Sequence, residues 1–184
     1  MTPLLQTERL ILRPLELSDA DSIQRLFPRW EIVQFLSDAV PWPYPSDGAE
    51  RFLRDVALPA TARGDQWHWS IRLKSRPAEL IGIIALTRSE KKNRGFWIVP
   101  ELQGRGLMTE AADAVTDFWF DVLKFPILRV PKAVQNEASR RISIHQGMRV
   151  VATEEHNYVG GRFPSEIWEI TADEWHRRGK TGTA

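Results

Sequence analysis

The sequence predicts an α/β (α+β) fold in one domain, with a mixed, mostly antiparallel central sheet flanked by helices. Three observations predict it. Apolar residues alternate at period two, or run unbroken, in short stretches and recur at helical spacing in longer ones. The order of these stretches is strand, helices, three-strand meander, helix, strand, helix, hairpin. The 184 residues show no internal repeat, low-complexity segment or shift in composition. One domain therefore spans residues 1–184, with a core at about 7–178 and a frayed tail over 179–184.

Glu8 to Pro14 reads as the first strand. Leu17 to Asp21 opens a helix, with Ser18 as the cap and Asp21 at the capping-box position; Ile23, Leu26 and Phe27 form its apolar face and Pro28 ends it. A short helix follows from Trp30 to Leu36, with Ile32, Phe35 and Leu36 inward. The alternating prolines of Pro41-Trp42-Pro43-Tyr44-Pro45 fix an extended, hydrogen-bond-poor segment. It is either a rigid connector or a wall of a substrate groove presenting Trp42 and Tyr44. Another helix starts at Ser46–Glu50 and turns Phe52, Leu53, Val56 and Ala57 to one side.

From Gln66 a strand alternates Trp67, Trp69, Ile71 and Leu73 with His68, Ser70, Arg72 and Lys74. Ser75-Arg76-Pro77 turns the chain, and Leu80–Leu86 is apolar enough for a central strand covered on both faces. Phe96–Val99 pairs next. The longest helix follows, with Leu107, Ala111, Val115, Phe118, Trp119 and Val122 at helical spacing. Ile127–Val134 is a strand carrying Pro131, which removes one ladder donor, so pairing should fail on that side. Asn136 caps a helix that Gly147 stops. Arg149–Val159 and Phe163–Ile170 form a hairpin through Gly160-Gly161, and a terminal helix carries Trp175.

Composition excludes several function classes. A net charge of +1 gives no field for nucleic acid or a membrane surface, and there is no basic stripe. The chain has no cysteine, which removes disulfides, thiolate nucleophiles and zinc–thiolate sites. Its four histidines lack ligand spacing, so no metal is expected. No apolar run approaches the ~20 residues of a membrane span, and the start does not read as a signal peptide. The expectation is a soluble cytoplasmic protein, monomer or homodimer. The eight tryptophans are either core fillers or an aromatic groove.

The stretch Asn93–Glu110 carries the chemistry. An apolar strand stops at Pro100, and Gln103-Gly104-Arg105-Gly106 leads into a helix. Backbone N–H groups there lack intrahelical partners, and the helix dipole adds partial positive charge. Such a turn is an anion cradle, suited to a pyrophosphate. A dinucleotide fold fits poorly, since Thr109 stands where a third glycine belongs.

Gln103-Gly104-Arg105-Gly106-Leu107-Met108 and Asn136-Glu137-Ala138-Ser139 together resemble the GNAT superfamily of N-acetyltransferases. The likeness is to the branch of the RimJ and RimL ribosomal-protein acetyltransferases. Thr7–Pro14, Glu79–Gly82, Pro100-Glu101, Thr109-Glu110-Ala111 and Glu166–Thr171 fit that branch, so the resemblance covers about residues 7–178. It implies acetyl-CoA as cosubstrate, its pyrophosphate held by Gln103, Gly104, Arg105, Gly106, Leu107 and Met108. Met108 departs from the Gly or Ala preferred there. It implies a bulge near Ile98 and Val99, whose free backbone groups would bind the pantetheine arm and polarise the thioester carbonyl. It implies that this strand splays from the Ile127–Val134 strand.

By the same resemblance Asn136 belongs to the cofactor site, and the Ser139 hydroxyl donates to the leaving sulfur; many relatives use a Tyr where this chain has Ser143. Read alone, Ser139 is more simply a capping-box partner of Asn136. Relatives often place a base Glu where Asn93 stands. The substitutes are His68, which is either that base or a packed histidine, and Glu154, Glu155 or His156, which are either bases or a solvated face. The implied acceptor is a primary amine, either a peptide N-terminus or a small amine; a non-catalytic acyl-CoA binding domain is the rival outside enzymes. An open trough past Trp42 and Tyr44 would suit a peptide, and a closed pocket a small amine.

Overall fold

The structure, a computed structural model, describes residues 1–178. The expected frayed tail lies outside the described residues. Strands β1 (Leu5–Gln6), β2 (Leu10–Pro14), β3 (Gln66–Leu73), β4 (Arg76–Thr87) and β5 (Arg94–Ile98) form one antiparallel sheet in that order. Strands β6 (Ile127–Ala133), β7 (Arg149–Tyr158) and β8 (Gly161–Thr171) form a second, ordered β6-β8-β7. The expected single mixed sheet is thus two antiparallel sheets meeting at β5 and β6, as the splayed pair requires.

The helices follow the predicted order. They are α1 (Ala20–Leu26), α2 (Trp30–Val33), α3 (Gly48–Arg51), α4 (Leu58–Arg63), α5 (Leu107–Asp117), α6 (Glu137–His145) and α7 (Ala172–Arg178). A 3-10 turn at Leu17–Asp19 precedes α1, and its cap is not Ser18. Glu16 and Asp19 form the capping box, because Asp19 is drawn inward to the buried guanidinium of Arg72 at 2.6 Å. Arg72 was expected on the polar row of its strand, yet both faces of β3 are covered. The hairpin turns also shift. Leu73 pairs with Arg76 and Tyr158 with Gly161, so the turns are Lys74-Ser75 and Val159-Gly160.

Val56 and Val122 were expected inward and stand in solvent. Both lie in π-helical segments, Phe52–Ala57 and Phe118–Val122. A π segment inserts a residue per turn, so a face counted at 3.6 rotates out of register. Six tryptophans, Trp67, Trp69, Trp97, Trp119, Trp168 and Trp175, are buried core fillers. Close packing of β4 on β5 depends on Gly82: a Cβ there would stand 2.4 Å from the Trp97 carbonyl oxygen.

Candidate active site

The site begins where the two sheets part. The backbone N–H of Asn93 donates to the Arg129 carbonyl at 2.8 Å, and Asn93 Oδ1 accepts from the Arg129 N–H at 2.7 Å. The Asn93 side-chain amide donates to the carbonyls of Thr87 and Ser89. A position where relatives' usage suggested a base is therefore a buried clasp. From it β5 and β6 run in the same direction, three residues later Lys132 Nζ sits 5.2 Å from the Phe96 ring centre, and no ladder joins the strands. Arg129 N–H points at β5, so by alternation the Pro131 nitrogen does too. The proline removes its donor from the edge that stays unpaired.

Val99 N–H donates to the Ile81 carbonyl, so alternation turns the backbone groups of Ile98 and Phe96 toward the gap. Of the two positions expected to present free groups, Ile98 keeps only its N–H free, and Val99 has both groups paired. No register shift interrupts the β4–β5 ladder from Gly82↔Ile98 to Leu86↔Arg94, so the expected bulge is absent. The Ile98 carbonyl accepts from Gln103 Nε2 at 3.2 Å, which ties the glycine loop to the end of the strand.

In that loop Gly104 and Gly106 both have positive φ, +73° and +76°. None of the N–H groups of Gly104, Arg105 and Gly106 donates to a backbone carbonyl, and those of Leu107 and Met108 open α5. The cradle is present and fits an anion. Leu107 and Met108 bury their side chains in the core, so the methionine departure leaves the open side of the loop clear. Sequence reasoning missed the brace beneath the loop. Glu110 accepts from Arg9 N–H at 2.8 Å and from the Thr7 hydroxyl, Arg9 Nε donates to it at 2.6 Å, and Arg9 Nη1 donates to the Arg105 carbonyl at 3.0 Å.

A cavity of about 1040 Å³ passes through the gap between β5 and β6. Arg94 and Phe96 alternate with Gly95 and Trp97 along β5, so its wall has two sides. On the α5–α6 side stand Arg94, Phe96, Lys132, Asn136 and Ser139. On the other stand Phe27, Tyr44, Phe52, His68 and Trp97. Ile98, Val99 and the glycine loop lie beyond its wall, farther along β5. Trp42 also lies outside, on the surface, its ring 5.8 Å from that of Trp30. Burial pushes the Tyr44 phenol up to about 12, so it is neutral. Val159 N–H to the Leu36 carbonyl, Gly160 N–H to the Gln34 carbonyl and a bridge between Ser37 and Tyr158 join two edges of the wall into a roof.

Asn136 caps α6, its side chain accepting from Ser139 N–H at 3.2 Å, and Ser139 also lines the cavity. The cap and the cavity-facing hydroxyl coexist, because the cap uses the serine's backbone. Ser143 is buried away from the wall. His68 is buried, its Nε2 2.7 Å from Gln66 Oε1. That oxygen only accepts, so the neutral ring carries its proton on Nε2 and keeps a lone pair on Nδ1, which is buried without a partner. Burial pushes its pKa down to about 4. Glu155 and His156 reach the wall; Glu154 sits 3.4 Å from His156 and 3.6 Å from Lys91. Among the described residues no cluster of three metal-ligating side chains forms, and no helix is long and apolar enough to cross a membrane.

A fold of two sheets parted over a helix-tip cradle defines an acyl-CoA-dependent N-acyltransferase. The chain belongs to the acetyltransferase (GNAT) domain family, whose model matches residues 9–149, and its cosubstrate is acetyl-CoA. It is similar to the uncharacterized N-acetyltransferase YoaA of Bacillus subtilis, 27% identical over 160 residues, 81% of this chain and 84% of the relative. The ribosomal-protein-S5-alanine acetyltransferase of Vibrio fischeri has the same fold, with a TM-score of 0.78 at 17% identity, over 94% of this chain and 98% of that one. So does RimL, a ribosomal L7/L12 alpha-N-protein acetyltransferase solved with coenzyme A, with a TM-score of 0.79 at 16% identity over 94% and 99%.

Proposed function

We propose that this protein moves an acetyl group from acetyl-CoA directly to a primary amine, the α-amine of a peptide N-terminus. The observation that carries direct transfer is the single cavity joining Ser139 on one side of the parted strands to His68 on the other. In this reading Gln103 to Met108 hold the pyrophosphate, and Ile98, with Phe96 beside it, offers backbone groups to the pantetheine arm. Asn136 fixes the tip of α6, and the Ser139 hydroxyl donates to the departing sulfur. A fixed donor at developing negative charge is worth ~3 kcal/mol in comparable sites. The transfer is direct in this reading, with no acyl-enzyme, since cysteine is absent and among the described residues no serine pairs with a histidine.

His68 takes the acceptor side. Its ring lines the cavity there, and its low pKa keeps it neutral. An α-amine with pKa ~8 needs little more help, whereas a lysine near ~10.4 would. The likeness to acetyltransferases named for ribosomal proteins, one of them an alpha-N-protein acetyltransferase, supports the peptide acceptor. A second reading, a small primary amine, is favoured by the roof that closes the acceptor side and by Trp42 standing outside the wall. Release of free CoA from acetyl-CoA, measured against peptides with varied first residues and against amino acids and polyamines, separates them. Turnover confined to small amines overturns the peptide assignment, and no turnover with any amine overturns the reaction.

A further inference from the structure

Lys132 is a buried cation of the cavity wall to which the transfer reading above gives no step. It lies on β6 in register with Leu128 and Val130, on the buried side of the strand, and is 4% exposed. Nζ donates to Ser139 Oγ at 2.6 Å and to the Ser139 carbonyl at 2.7 Å, and faces the Phe96 ring. Among the described residues no carboxylate pairs with it. The charged group that faces it is Arg94, another buried cation, whose Nε and Nη2 also lack partners. An ammonium buried without a counter-ion is costly, and an apolar side chain of equal length would pack as well.

Resting on the transfer reading above, we propose that Lys132 is a positioning residue that acts through Ser139 to serve the departing thiolate. Its hydrogen bond occupies a lone pair of Ser139 Oγ. The serine's own O–H is thereby turned away from the lysine and into the cavity. As the amine nitrogen bonds to the acetyl carbon, the C–S bond breaks and its electron pair goes to sulfur. The Ser139 proton passes to that sulfur, and a Lys132 ammonium proton passes to Ser139 Oγ. The acceptor nitrogen gives up its proton to water, and Lys132 recovers one from water. Burial, with Arg94 adding to it, holds the Lys132 ammonium well below its usual range, which makes it a readier donor.

The test compares wild type, Lys132→Met, Ser139→Ala and the double variant, using acetyl-CoA and the acceptor found above. Measured are single-turnover rate, calorimetric affinity for acetyl-CoA and thermal unfolding. Lys132→Met should slow transfer by about thirtyfold, hold affinity within about twofold and leave the unfolding temperature no lower. In the Ser139→Ala background the same change should cost less than about twofold, since the path through the hydroxyl is gone. The chain lacks cysteine, so Lys132→Cys alkylated with 2-bromoethylamine, verified by mass, restores an ammonium at this one position and should restore the rate. Should the Met variant not fold, Lys132→Gln carries the same comparison. A fully active variant, an equal loss without Ser139, or an alkylated protein as slow as its cysteine parent overturns the proposal while acetyl transfer stands. A wild type without turnover overturns both.

Discussion

Asn93 holds both main-chain groups of Arg129, one with its backbone N–H and one with its side-chain oxygen, so a single residue closes the vertex from which β5 and β6 diverge. Its amide nitrogen takes over the Thr87 carbonyl that a regular ladder would have given to the Asn93 N–H. Asn93→Ala leaves that carbonyl and the Arg129 N–H without partners. Chemical denaturation should show a loss of about 2–6 kcal/mol, at ~1–3 kcal/mol for each orphaned group.

Gly82→Ala places a methyl on the Trp97 carbonyl oxygen, and backbone cannot give way as a flexible side chain would. The variant should lose about 2–3 kcal/mol of stability, and its acetyl-CoA affinity should fall as β5 moves. An unchanged unfolding temperature would contradict the close approach of β4 and β5.

Gly106→Glu should abolish acetyl-CoA binding by calorimetry, since it puts a carboxylate in the cradle proposed to hold the pyrophosphate. Gly106→Ala is the control. At φ +76° it costs about 1 kcal/mol in strain, with binding weakened but present.

Ser139→Ala should spare acetyl-CoA affinity and slow transfer by about a hundredfold, because the cap of α6 uses the serine's backbone and survives. A parallel fall in affinity and rate would make the hydroxyl a structural group.

His68 fixes the sign of an acid limb. Its folded pKa of about 4 lies below the unfolded ~6.5, so between these values the unfolded chain binds the proton and the folded one does not. Its contribution is whole above pH ~6.5 and is lost as pH falls toward 4, about 3 kcal/mol in all. Denaturation at several pH values should show His68→Asn with a flatter dependence than wild type across that window.

The order of elements was legible because period-two and helical spacing survive in the long elements, and the glycine loop because glycine at positive φ before a helix has few other uses. The alternation of β3 misled: with both faces covered, Arg72 is as buried as Trp67. Asn93 was read as a missing base because its role depends on a strand thirty-six residues away. Lys132 had a local signal, its register with Leu128 and Val130, but a lysine on an apolar row reads as an exposed edge until its partner on α6 is seen. Trp42 and Tyr44 were read together, yet a two-residue step divides the surface from the cavity wall. Acetyl-CoA use was legible only through the family resemblance that the loop and helix motifs carry; the acceptor was not, since the far wall of the cavity is assembled from α1, the proline segment, β3 and β7.

The absent hydrogen on the nitrogen of Pro131 outlasts any rearrangement of side chains. A slip of either strand cannot close the seam, because one rung can never be made there. In the proposed transfer, admission of the thioester therefore asks for no unzipping beforehand.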